Sequence, residues 1–139
     1  MGMIHKQRLT GPSVWKGTDF AGDKSWIQPL TAQQCEELLA AVAAVQNVGK
    51  RFPDFGRLDF PLAELGQQLR EWGDELESGR GFILLRGLPV DGLDDDAINI
   101  LYFGLGLHMG VPVRQNPAGD LIGRVINVGD LEDRQTRVY

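Results

Sequence analysis

The amino-acid sequence predicts an α+β fold in which helices come first and strands accumulate towards the end. Three observations carry that expectation. Apolar residues recur at three- and four-residue spacing in three windows, 31–49, 61–78 and 94–109, each with its own start and stop chemistry. Between the second and third windows lies a short unbroken apolar run, Phe82-Ile83-Leu84-Leu85, the pattern of a strand buried on both faces. After Gly110 the helical periodicity ends, and residues 111–113 and 121–127 read as short strands.

Residues 1–30 are irregular, punctuated by Gly11, Pro12, Gly17 and Gly22. Trp15 and Trp26 are the expected anchors of a segment that wraps over a core built elsewhere. Thr31, with Gln34 three residues on, has the form of a reciprocal capping box and predicts a helix start. Cys35, Leu38, Leu39, Val42 and Val45 give that helix its apolar face, and Gly49 is its stop. A second helix is expected from Pro61, a suitable first-turn proline, to Ser78, with Leu62, Leu65, Leu69, Trp72 and Leu76 on one side. Gly66 and Gly73 weaken it, so packing must stabilise it. The third helix opens on Asp94, Asp95 and Asp96, whose charge complements the positive end of the helix dipole. Its expected core face is Ile98, Leu101, Tyr102 and Leu105, and Gly110 closes it. Residues 115–120, with Asn116, Pro117 and Gly119, read as a turn, and residues 129–133 as a polar acidic loop.

The chain's 139 residues suit one compact domain, with no internal repeat. A net charge of −5 disfavours nucleic acid and anionic membrane surfaces as partners, because both attract positive charge. The one cysteine, Cys35, cannot form an intrachain disulfide, and no secretory signal or membrane-length apolar run is present. The expectation is a cytoplasmic protein.

Motifs for chemistry are sparse. Gly104-Leu105-Gly106 with Gly110 imitates a dinucleotide-binding fingerprint, but the spacing is one residue too long and the glycines end a helix rather than open one. Helix termination and close backbone packing explain them better. The two histidines, His5 and His108, begin no His-x-Asp or His-x-Glu pair, and a facial triad needs two histidines and a carboxylate on one metal. His108 is expected to be a packing histidine and Cys35 a buried thiol. No serine sits in a nucleophile-elbow context, and the cluster Asp91, Asp94, Asp95 and Asp96 lacks the glycine and terminal glutamate of a calcium loop.

The run Gly79-Arg80-Gly81-Phe82-Ile83-Leu84-Leu85-Arg86-Gly87-Leu88-Pro89-Val90 and the later Gly104-Leu105-Gly106-Leu107-His108-Met109-Gly110-Val111-Pro112-Val113, followed by Gln115-Asn116, resemble the N-terminal portion of TauD/TfdA-like dioxygenases (taurine dioxygenase-like, clavaminate synthase-like). The spacing of the two blocks fits, as do Trp26 ahead of the Thr31 helix and Asp59-Phe60-Pro61-Leu62 at the entry to the second helix. The resemblance covers the chain from about Trp15 to Tyr139.

That resemblance implies an α+β fold with N-terminal helices packed on the beginning of a double-stranded β-helix, or jelly roll, incomplete in this chain. Residues 1–30 would be the wrap, and residues 31–139 the N-terminal part of the dioxygenase domain. It implies Fe(II) and 2-oxoglutarate as cofactors of the complete protein and oxidation of a small-molecule substrate. In the family a His-x-Asp pair, a distant histidine and a late arginine hold iron and 2-oxoglutarate. None of these maps onto a residue here, so no catalytic, metal or cofactor-binding residue is assigned, and the chain alone is expected to be inactive. Arg114, Gln115, Asn116 and Arg124 are the residues placed near substrate, although turn chemistry accounts for them as well. The alternative is a non-catalytic remnant or a self-associating module, since few strands leave open sheet edges.

Overall fold

The computed structural model describes residues 6–125. The element order is β1 (Ile27–Pro29), α1 (Ala32–Asn47), α2 (Leu65–Ser78), β2 (Leu84–Arg86) and α3 (Asp95–Met109), with single 3-10 turns at Gly17–Phe20 and Arg57–Asp59. The architecture is α+β: three helices and a two-stranded parallel sheet.

α1 forms where the capping signal lies. The Thr31 hydroxyl accepts from Gln34 N at 3.2 Å, and the Gln34 side chain accepts from Thr31 N at 3.0 Å. Gly49, at φ 73°, supplies the left-handed residue that ends it. α3 is capped by Asp94, whose carboxylate accepts from Ala97 N at 2.8 Å. α3 packs against both α1 and α2. The core it shares with them contains Leu38, Val42 and Val45 of α1, Leu65, Leu69 and Trp72 of α2, and Ile100, Leu101 and Leu105 of α3. Phe55 and Phe60, from the loop before α2, complete it, and Phe60 is fully buried.

Several expectations are corrected. α2 begins at Leu65, not at Pro61, because its first backbone donors find a partner elsewhere: the Glu37 carboxylate on α1 accepts from Glu64 N at 2.9 Å and Leu65 N at 3.0 Å. The strand expected at residues 82–85 is Leu84–Arg86 and is not buried on both faces, since Leu84 is 39% exposed. Its partner is β1, in the stretch read as wholly irregular, with Ile27 opposite Leu84. Tyr102 lies outside the core at 64% exposure, and Leu39 and Leu76 are also exposed. Residues 111–113 form no strand, and neither do residues 121–125. The rest of the 121–127 strand, the acidic loop at 129–133 and His5 lie outside the described residues.

Trp15, Phe20 and Trp26 gather around Phe82, just before β2. Trp15 and Phe20 stack edge-on against Phe82 at 4.9 and 5.1 Å between ring centroids, and Trp26 lies 5.8 Å from the same ring. The Trp15 indole donates to Arg80 O at 2.9 Å. Arg80 binds this segment to the end of α2: its Nε donates to Glu75 at 2.7 Å and its Nη1 to Ser25 Oγ at 2.8 Å.

Candidate functional site

The residues after α3 return along it. Gly110 ends the helix, and Asn116 and Asp120 then tie a turn, with Asn116 Nδ2 donating to the Asp120 carboxylate at 2.7 Å and Gln115 N to Asp120 O at 2.7 Å. Further on, Arg124 pairs with Asp95, in the first turn of α3, at 3.1 Å. The segment therefore forms a strap from the C-terminal end of α3 back to its start. Between strap and helix lies a cavity of about 460 Å³. Its walls include Leu105 and Met109 of α3, Val111 and Val113 of the strap, Leu121 and Ile122 beyond the turn, and Leu85 of β2.

Of the four residues placed near substrate from the sequence, only Gln115 lines this cavity. Its Nε2 donates to Val113 O at 2.9 Å, within the strap. Asn116 is occupied by the turn and Arg124 by Asp95. Arg114 lies over Gly119, its side chain within 4 Å of the position a Cβ would take there. The apolar lining was missed in the sequence because Val111 and Val113 alternate as strand residues do, whereas here they belong to an irregular segment and stay largely exposed.

His108 lies on another face of α3 and is buried. Its Nε2–H donates to Phe60 O at 2.7 Å, which leaves Nδ1 buried and without a partner among the described residues. α2 passes beside the ring, where a Cβ at Gly66 would stand 3.5 Å from Nδ1, in ordinary contact. His108 is a packing histidine that ties the Phe60 loop to α3, as expected. Gly104 and Gly106 do not terminate the helix, which runs on to Met109. Close packing accounts for Gly104, whose added Cβ would meet the Phe60 ring at 2.5 Å. Cys35 is half-buried and its thiol donates to Gly87 O at 3.3 Å.

A facial-triad iron does not fit the described residues. No group of three His, Cys, Asp or Glu side chains converges among them, and the histidine they contain already donates to a carbonyl. The carboxylates with lowered pKa are structural too. Backbone and side-chain hydrogen bonds from Ser25 depress Asp23, the Gly56 amide and Lys50 depress Asp59, and Arg80 depresses Glu75. No helix among the described residues is long and apolar enough to cross a membrane.

A helix-rich α+β scaffold with an apolar cavity and no described metal centre is the class of protein that the geometry defines. By sequence the chain belongs to the TauD/TfdA-like dioxygenase superfamily. It is 32% identical over 127 residues to FR-33289 synthase of Streptomyces rubellomurinus (strain ATCC 31215), an alignment covering 91% of this chain and 37% of that protein. It is 31% identical over 103 residues to the taurine hydroxylase-like protein SAT17 of Stachybotrys chartarum (strain CBS 109288 / IBT 7711), covering 74% of this chain and 27% of that protein. The chain thus spans between about a quarter and little more than a third of the length of the relatives it matches. No family model matches it.

Proposed function

We propose that this chain is the N-terminal part of a non-haem Fe(II)- and 2-oxoglutarate-dependent dioxygenase that hydroxylates or oxidises a small organic substrate. Residues 1–30 are its wrap, and residues 31–139 open a dioxygenase domain whose helices pack on the beginning of a jelly roll. The observation that carries this reading is an alignment that takes in 91% of the chain but 37% of the synthase. The chain supplies scaffold and part of the substrate surface, including Gln115 and its neighbours Arg114, Asn116 and Arg124. Iron, 2-oxoglutarate and the groups that hold them belong to the rest of the complete protein, so the chain alone is inactive.

Determining the DNA sequence that follows the Tyr139 codon tests this. An in-frame His-x-Asp codon pattern, with a later histidine codon, is the expected result. A stop codon with no such codons downstream in any frame would overturn it. That outcome would favour the second reading, a self-associating remnant. The exposure of Val111 and Val113, 88% and 65%, gives that reading its support.

A further inference from the structure

The cavity between α3 and the strap carries a feature that packing does not explain. Gly104 and Gly106 both interrupt α3, and glycine inside a helix costs about 0.5–1 kcal/mol relative to alanine. Phe60 leaves no room for a side chain at Gly104. At Gly106 a Cβ would meet nothing within 4 Å, and the backbone there has no positive φ to require glycine. Gly106 lines the cavity and is exposed, as is Tyr102 one turn before it, with the half-buried Met109 one turn after. The missing side chain at Gly106 keeps the cavity open.

The lining sets the chemistry of an occupant. Leu85, Leu105, Met109, Val113, Leu121 and Ile122 offer no hydrogen bond from their side chains, no Asp, Glu, Lys, Arg or His among the described residues lines the cavity, and its polar side chains are those of Tyr102 and Gln115. A charged group placed there would meet no counter-charge among the described residues, so the lining favours an apolar occupant. The volume, about 460 Å³, falls within the roughly 300–1,000 Å³ usual for small-molecule sites. The wall opposite α3 is held by its own turn and by the Arg124–Asp95 pair, so the concavity exists without a partner.

We propose that this cavity binds a small apolar molecule, or the hydrocarbon part of a small organic one, with Gly106 as the residue that keeps it accessible. This binding needs neither iron nor 2-oxoglutarate, and its test reads it apart from the dioxygenase reading, although Gln115, placed near substrate in that reading, lines the same cavity.

The test uses the chain as it is, with p-xylene and methylcyclohexane as probes, followed through the methyl resonances of Leu, Ile, Val and Met in a carbon–proton NMR titration. The expected result is saturable one-to-one binding with shifts confined to Leu85, Leu105, Met109, Val113, Leu121 and Ile122. Gly106→Leu, which fills the cavity from a helical backbone, should weaken binding by at least about tenfold while the melting temperature holds or rises. Gly106→Ala serves if the leucine variant does not fold, and a smaller loss of affinity with a higher melting temperature is then expected. Absence of saturable shifts in the folded wild-type chain overturns the proposal. So does sedimentation showing that the same methyls are covered by a second copy of the chain and that the probes do not compete with it.

Discussion

Introducing one methyl group at Gly104 should destabilise the protein, although the same change at most helical glycines stabilises it. The added Cβ of Gly104→Ala would stand 2.5, 2.5 and 2.7 Å from three atoms of the Phe60 ring. Carbon atoms in contact prefer about 3.5–4.0 Å, so ring or helix must move by roughly 1 Å. Phe60 has little freedom to do so. It is fully buried, lies 6.2 Å from the Phe55 ring and 6.4 Å from the His108 ring, and its carbonyl is held by His108 at 2.7 Å. Overpacking of this kind costs about 1–3 kcal/mol, against a gain of up to about 1 kcal/mol in helix propensity. The net expectation is a loss of about 1–2 kcal/mol. Urea denaturation followed by tryptophan fluorescence measures it, with Gly106→Ala, two residues along in open space, as the control that should gain stability. Shrinking the ring with Phe60→Leu should relieve the alanine, so the two changes should couple in a double-mutant cycle. A Gly104→Ala protein as stable as Gly106→Ala would show that Phe60 does not hold the position described.

Leu84→Asp should leave the fold intact with a loss of under about 2 kcal/mol, because Leu84 is 39% exposed and its charge can reach water; a chain unfolded by circular dichroism would refute the placement of β2. Acid titration of stability should show the Glu75–Arg80 pair. Hydrogen bonds from the Arg80 side chain and backbone hold the Glu75 carboxyl below its ordinary value of 4.5, so its contribution is complete above that pH and is lost as pH falls through the depressed value. Arg80→Ala should flatten that acid limb, and an unchanged limb in urea melts taken at successive pH values would rule the pair out. Anaerobic titration calorimetry of the purified chain with Fe(II) and 2-oxoglutarate should show no stoichiometric micromolar binding; such binding would mean that the chain assembles its own metal site.

The helix starts at Thr31 and Asp94 were legible because their caps are local. Donor and acceptor sit three residues apart, and the pattern survives without any tertiary structure. The start of α2 was not, because its cap is Glu37, on another helix and far away in sequence. A proline before an apolar series carried the helix four residues too early. β1 was hidden for a related reason: three residues ending in Pro29 have no periodicity, and a parallel partner more than fifty residues away leaves no local trace. At Val111 and Val113 the alternation was real, but the residues form no strand and remain largely exposed. The cavity left no mark in the sequence and became visible only when the strap and Gly106 were seen on one side of α3.

The parallel pairing of β1 with β2 also orders events in time. Ile27 and Leu84 are 57 residues apart, and both long helices α1 and α2 lie between them. Closing so long a loop in a flexible chain costs about 3.6 kcal/mol from its length alone, (3/2)RT ln n. Each backbone hydrogen bond, such as Leu84 N to Trp26 O or Leu30 N to Arg86 O, returns about 1 kcal/mol net. Formation of α1 and α2 shortens the path between the strands and lowers that cost. The strand pair, with the aromatic cluster that leans on Phe82, returns little against that cost, so it is expected to open before the helical core does. Amides of β1 should exchange with solvent through openings smaller than those that release the centre of α3.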